Sequence, residues 1–221
     1  MGAGVQEEDS SFQSADIVVN IQMGVGGRRK IVLSSGSSFF VPVETLAKIG
    51  IVIGSELSEE QIRLLEMSDQ INAIRIKAFD YLARRDHSVW ELSRKLDRRG
   101  FGRDLVARAL RELQDRGHVD DARFAERWVK GRLSRHPEGA SRLKAGLRSR
   151  GVDRRTIDQV VEEIFDEELE QKSLFEAAEK ILRRKKMDRG DLLKALVARG
   201  FSYRKTVLYL EDNHFAGKKD N

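Results

Sequence analysis

LSRKLDRRGF (Leu92–Phe101), LKAGLRSRGV (Leu143–Val152) and LLKALVARGF (Leu192–Phe201) share one pattern: Leu, three residues, Leu, two residues, Arg-Gly and an apolar residue. The instances stand 51 and 49 positions apart. A period of about 50 marks repetition of one supersecondary unit, and such units bury their apolar faces by stacking on their neighbours. The chain reads as a binding scaffold.

Working outward from each Leu pair, the flanks repeat as well. Ala78 and Leu82, Val129 and Leu133, and Ala178 and Leu182 stand at identical offsets before the pairs and mark a first helix. Ser88, Gly139 and Asp188, four residues before the first Leu, are acceptable N-caps for a second helix. Ser88 with Glu91 also has the spacing of a capping box. Gly100, Gly151 and Gly200 occupy the place where a helix ends in a left-handed residue. Gly102, Asp153 and Ser202 follow as caps of a third helix, with Phe101, Val152 and Phe201 placed to staple onto Val106, Ile157 and Thr206. Each unit is therefore a three-helix module.

Upstream the text changes. IVVNIQM (17–23) and KIVL (30–33) are β-branched runs separated by GVGGRR, and SSFFVPV (37–43) follows a Ser-Gly turn. Two or three antiparallel strands are expected. GVGGRR lacks the Gly-Lys-Ser/Thr ending of a phosphate-binding loop and reads as a hairpin turn. A short helix follows Pro42, and Ser58 with Gln61 opens another. The expected fold is mainly α, an elongated array of three tandem three-helix repeats behind a small strand-bearing N-terminal extension. Its expected bounds are an unordered start (1–15), the extension (16–67), repeats at 68–118, 119–168 and 169–215, and a flexible tail (216–221).

The net charge of +5 hides a segregation. Residues 1–67 carry 5 basic against 9 acidic side chains, residues 68–150 carry 21 against 12, and residues 151–221 carry 15 of each. Concentrated positive potential attracts polyanions or acidic protein surfaces, the bland alternative being a solvated helix surface with interspersed ion pairs. No apolar run reaches the roughly 18 residues that span a bilayer, and there is no cysteine. A soluble, cytoplasmic chain without disulfides or thiolate chemistry is expected.

Little points to catalysis. His87, His118, His136 and His214 are scattered without metal spacing, so no catalytic residue, metal or cofactor is expected. Trp90, Phe124, Trp128 and Phe175 sit among helical apolar positions and read as core, base stacking being the alternative. Glu162, Glu163, Asp166, Glu167, Glu168 and Glu170 read as the exposed face of one helix. Arg99, Arg150 and Arg199 precede the capping glycines, where a cation complements the negative end of the helix dipole. Leu92 and Leu96 share one helix face, with Arg94 and Arg98 nearly opposite and Lys95 on a flank. The core is replicated between units but the charge decoration is not.

With these repeats in view, GHVDDARFAERWVKGRLSRHPEGASRLKAGLRSRGV (117–152) resembles the signature of the RecX family of recombination regulators, above all in DDARFAERWV (120–129), Gly139, Arg142, Leu143, Leu147 and Arg150-Gly151-Val152. VPVETLAKIGIVIGSELSEEQIRLLEMSDQ (41–70) resembles the strand-bearing extension of some members. The lead into the second repeat, HPEGAS (136–141), departs from the more aromatic or glycine-rich lead of many members. The resemblance implies a curved helical array that binds RecA and above all the RecA filament on single-stranded DNA; the chain is expected to be a monomer. It also implies restraint of filament growth, of the linked ATPase and of strand exchange. Single-stranded or double-stranded DNA is a further expected partner; a membrane is not. Within this reading the contact candidates are Arg94, Lys95, Arg98, Arg132, Arg135, Arg142, Lys144 and Arg148, with Arg183, Arg184, Lys185 and Lys186 as a second basic cluster. A helical DNA-binding module independent of RecA is the alternative.

Overall fold

The computed structural model describes residues 15–24 and 26–213. The expectations for the first fourteen residues, for His214 and the end of the third repeat, and for the tail lie outside them. The described residues form two compact units, one of those up to 76 with 104–109, and one of residues 77–103 with those from 110 onward.

The first unit is built on the β-branched runs. β1 (Asp16–Met23) and β2 (Arg28–Leu33) form an antiparallel hairpin in which Val18 opposes Leu33 and Ile21 opposes Ile31. β3 (Ser38–Pro42) adds to β2, placing Phe39 opposite Ile31 and Val41 opposite Arg29. α1 (Val43–Ile49) follows Pro42 as expected. A fourth strand, β4 (Glu56–Leu57), pairs with the start of β1 and gives the sheet order β3-β2-β1-β4. Two residues carry no strand periodicity, so β4 escapes a sequence reading; bonds from Val18 N–H to the Ser55 carbonyl and from Gly54 N–H to the Val18 carbonyl hold it. Alternate residues of the strands face one way, so Val18, Ile31, Leu33, Phe39 and Val41 form a core with Leu46 and Leu65.

α2 (Glu59–Leu82) starts at the expected capping box, in which Gln61 N–H donates to Ser58 Oγ and Ser58 N–H to Gln61 Oε1. It runs unbroken across residues 67 and 68, so the division expected there falls inside a continuous helix. Eight more helices follow: α3 (Val89–Asp97), α4 (Arg103–Asp115), α5 (Asp121–Leu133), α6 (Ala140–Arg148), α7 (Arg154–Ile164), α8 (Glu167–Leu182), α9 (Arg189–Ala198) and α10 (Tyr203–Asp212). From α2 onward they fall into three triads, as the repeats require.

The caps are where the repeat pattern places them. Ser88, Asp153 and Asp188 accept from the N–H of Glu91, Thr156 and Asp191, while Gly102, Gly139 and Ser202 cap in an extended conformation without a side-chain bond. α6 and α9 close identically: Gly151 N–H donates to the Arg148 carbonyl and Val152 N–H to that of Leu147, as Gly200 N–H does to Val197 and Phe201 N–H to Leu196. This double closure needs a left-handed residue, and Gly151 and Gly200 supply it at φ 74° and 91°.

Leu92, Leu96, Leu143, Leu147, Leu192 and Leu196 are all completely buried. From α5 onward one continuous apolar cluster joins the second and third triads, with Phe124 in it and Trp128 packed against it. Two of the four aromatic residues read as core are not. Trp90 is 44% and Phe175 51% exposed, because helical spacing alone does not say on which side of a triad's apolar stripe a flanking aromatic falls. The acidic stretch is also not one helix face: α7 ends at Ile164, and Asp166 caps α8 by accepting from Leu169 N–H. No helix among the described residues is long and apolar enough to cross a membrane.

Replacing Leu147 by Ala removes a fully buried side chain and is expected to cost about 2 to 5 kcal/mol in a urea denaturation series. An unchanged midpoint would contradict its core role.

Candidate functional site

The expected contact residues are positioned by a joint that occurs twice in the second unit. At the first, the Ser88 cap of α3 meets the end of α6, and its hydroxyl donates to the Arg150 carbonyl at 2.6 Å. Val89 N–H donates to Asp121 Oδ1 at 2.9 Å, tying α3 to the start of α5. Trp90 lies against Gly151, where an added Cβ would stand 2.3 Å from the Trp90 Cβ.

At the second joint the start of α6 meets the end of α9. Gly139 N–H donates to the Arg199 carbonyl at 3.0 Å and Ser141 N–H to that of Gly200 at 3.2 Å. The Arg142 guanidinium adds a bond to the Ala198 carbonyl at 3.1 Å. A Cβ on Gly139 would lie 2.2 Å from the Gly200 carbonyl and one on Gly200 2.5 Å from the Arg142 nitrogen, so the start of α6 reaches the end of α9 only because neither residue has a side chain. The second helices of the three triads thus follow one another head to tail, the N–H groups opening α6 satisfying carbonyls left over at the end of α9.

The track exposes Arg94 and Arg98 on α3 and Arg142 and Arg148 on α6. Lys194 of α9, not among the expected contacts, occupies the repeat slot of Arg94 and is also exposed. Its signal was present in the register of the repeats but weak in composition, because its third of the chain is neutral. Three cations of this region lie over aromatic rings: Arg94 over Trp90 at 5.2 Å, Lys95 over Tyr81 at 4.7 Å, and Arg150 over Trp128 at 4.8 Å. A ring face orients a cation without cancelling its charge. Arg98 donates to the Arg94 carbonyl, and Arg148 has no bonded partner among the described residues.

Other expected contacts are engaged differently. Arg132 grips Glu138 with two bonds of 2.9 and 2.7 Å, and Arg142 reaches the same carboxylate at 3.3 Å. Glu138 is buried, and Ser173 of α8 donates to its carbonyl, so this ion group braces the second joint. Lys144 is paired with Asp158 at 2.6 Å. Arg135 lies off the track, beside Arg183 and Arg184, with its Nε donating to the Gly131 carbonyl. Arg183 reaches Glu179 at 3.5 Å, and Lys185 and Lys186 are exposed. The eight residues therefore divide into exposed track cations, braced cations and one groove arginine.

Burial by itself would raise the Glu138 carboxyl. The bonds and charge of Arg132, with the charges of Arg142 and His136, outweigh it and hold the group below the ordinary 4.5. Burial lowers His87 despite its bond to Glu91. Among the described residues no group of three His, Cys, Asp or Glu could hold a metal ion.

Family models describing the first and second three-helix domains of RecX match residues 75–113 and 120–161, the segments that carry the first joint and the start of the second. The chain belongs to the RecX family. The regulatory protein RecX of Listeria welshimeri is 26% identical over 189 residues, covering 83% of this chain and 70% of the relative. That of Chromohalobacter salexigens is 43% identical over 102 residues, 46% of this chain and 64% of the relative. A solved structure of regulatory protein RecX superposes with a TM-score of 0.76 at 23% identity, covering 89% of this chain and 99% of that one, which shows a shared fold.

The Glu138 brace gives a pH signature. A carboxyl lowered on folding contributes stability that is present above its unfolded value, near 4.5, and is lost as pH falls through the lower folded value. Glu138→Gln is expected to lose about 1 to 3 kcal/mol at neutral pH, the cost of unsatisfied buried partners. Urea midpoints of parent and variant should converge below pH 4.5. A gap that stays constant with pH would show that the ionised carboxylate is not what braces the joint.

Proposed function

We propose that this RecX-family chain is a regulator that binds RecA and the RecA filament on single-stranded DNA, and that it restrains filament extension, the linked ATP hydrolysis and strand exchange. The observation that carries the reading is the head-to-tail track of α3, α6 and α9. It presents Arg94, Arg98, Arg148 and Lys194 without an enclosing set of acids, Lys194 alone reaching a carboxylate, Asp191 at 3.7 Å. The names of the relatives, each a regulatory protein, support the same role.

The mechanism follows from spacing and charge. Cations at intervals along linked helices meet successive anionic groups of a repeating partner together, so each contact raises the effective concentration of the next. A single chain bridging neighbouring filament subunits opposes the subunit changes that accompany ATP turnover. Binding of this kind requires no catalytic group and takes place in the cytoplasm with its partner. The braced residues Arg132, Arg142 and Lys144 serve by holding the track in register, with Arg142 also exposed on it.

The test is DNA-dependent ATP hydrolysis by RecA on saturating single-stranded DNA, titrated with the chain. Inhibition is expected below one molecule per RecA and should persist when DNA is added in excess. Reversing Arg94, Arg98 and Arg148 to Glu should raise the half-inhibitory concentration by about tenfold or more and flatten its salt dependence, since fewer counterions are released. Equal loss from reversing Arg183, Arg184, Lys185 and Lys186 would move the contact surface to α8. Relief in proportion to added DNA would favour the module that binds DNA without RecA.

A further inference from the structure

The three triads differ most where they face solvent. Phe175, Leu208 and Tyr203 of the third triad are 51%, 49% and 65% exposed. The same repeat positions in the second triad are Glu126, Gln159 and Arg154, all exposed and all polar. A shared core therefore does not explain the apolar residues of the third, and clustered exposed apolar side chains mark interaction surfaces.

The surroundings of Phe175 indicate the kind of partner. It forms the ridge between two grooves. One has Leu133 and Pro137 in its wall and is rimmed by Arg135 and Arg184, with Glu179 offsetting Arg183. The other is lined by Leu174 and Leu208 and bordered by Glu167 and Asp212, its lysine, Lys205, being taken up by Glu170. The ridge is thus apolar, with a cationic flank and an acidic flank. A nucleic-acid strand stacked on Phe175 would bring its phosphates toward Glu167 and Asp212 on one side. A protein helix with an apolar stripe, acids on one flank and bases on the other meets all three zones with complementary groups.

We propose that the solvent face shared by α8 and α10 is a docking surface for an amphipathic helix of a partner protein, with Phe175 and Leu208 as its apolar anchors. The inference is independent of the basic track and of the RecA reading. It gives the third triad a protein-binding face of its own on α8 and α10.

The experiment uses the full chain and three fluorescein-labelled peptides of about 20 residues, roughly 30 Å when helical. All share a leucine stripe; one has Glu on one flank and Lys on the other, one Glu on both, and one Lys on both. Fluorescence anisotropy should show the mixed peptide binding about tenfold or more tighter than the others. Phe175→Asp with Leu208→Asp should abolish that preference, and Arg135→Glu with Arg184→Glu should weaken binding of the mixed peptide. Because all four side chains are at the surface, circular dichroism should be unchanged. Best binding by the all-Glu peptide, or indifference to the Phe175 and Leu208 changes, would overturn the proposal. So would loss of labelled oligothymidylate binding in the Phe175 and Leu208 variant, which would make the ridge a base-stacking platform. Concentration-dependent dimers abolished by the same variant would assign the surface to a second copy instead.

Discussion

The cations that the second unit displays along α3, α6 and α9 depend on the meeting of helix ends. An α-helix leaves N–H groups unpaired at its start and carbonyls unpaired at its finish, and a buried end must find partners for them. Here the two deficits answer each other: the start of α6 supplies donors to the finish of α9, and the Ser88 hydroxyl at the start of α3 donates to the finish of α6. The contact at the second joint requires two backbones to touch, which Gly139 and Gly200 permit. Glu138, gripped by Arg132 and Arg142, lies one residue before that contact and holds the loop in place.

The joint also sorts the positive charge. A carboxylate bound to a cation largely cancels its charge, whereas a cation stacked on a ring or standing alone keeps its charge, felt within a Debye length of about 8 Å at physiological salt. Arg132 and Lys144 belong to the first kind, and Arg94, Lys95 and Arg148 to the second. The +9 balance of residues 68–150 is therefore distributed between bracing and display. Trp90 links both purposes, since it seats on Gly151 at the joint and carries Arg94 on its face.

The repeats share a core and diverge on the surface, as expected where one stacking unit is used for several contacts. Leu143 and Leu192 are equally buried, yet Glu126 and Phe175, at one repeat position on the outer face of α5 and α8, differ in kind. Such changes cost the core nothing because the altered side chains point into water.

The local rules were legible in the sequence by itself. The three triads, the caps at Ser88, Gly139 and Asp188, the left-handed glycines and the buried leucines follow from short-range periodicity and backbone preference, which neighbouring residues determine. The tertiary structure decided what depends on residues 30 to 60 positions apart. It set Trp90 on Gly151 and Gly139 on Gly200, and it left Phe175 in solvent. It also added β4, two residues long and held by bonds to β1 rather than by any pattern of its own. Helical spacing gives a residue its direction around an axis; only packing says whether another segment or water lies there.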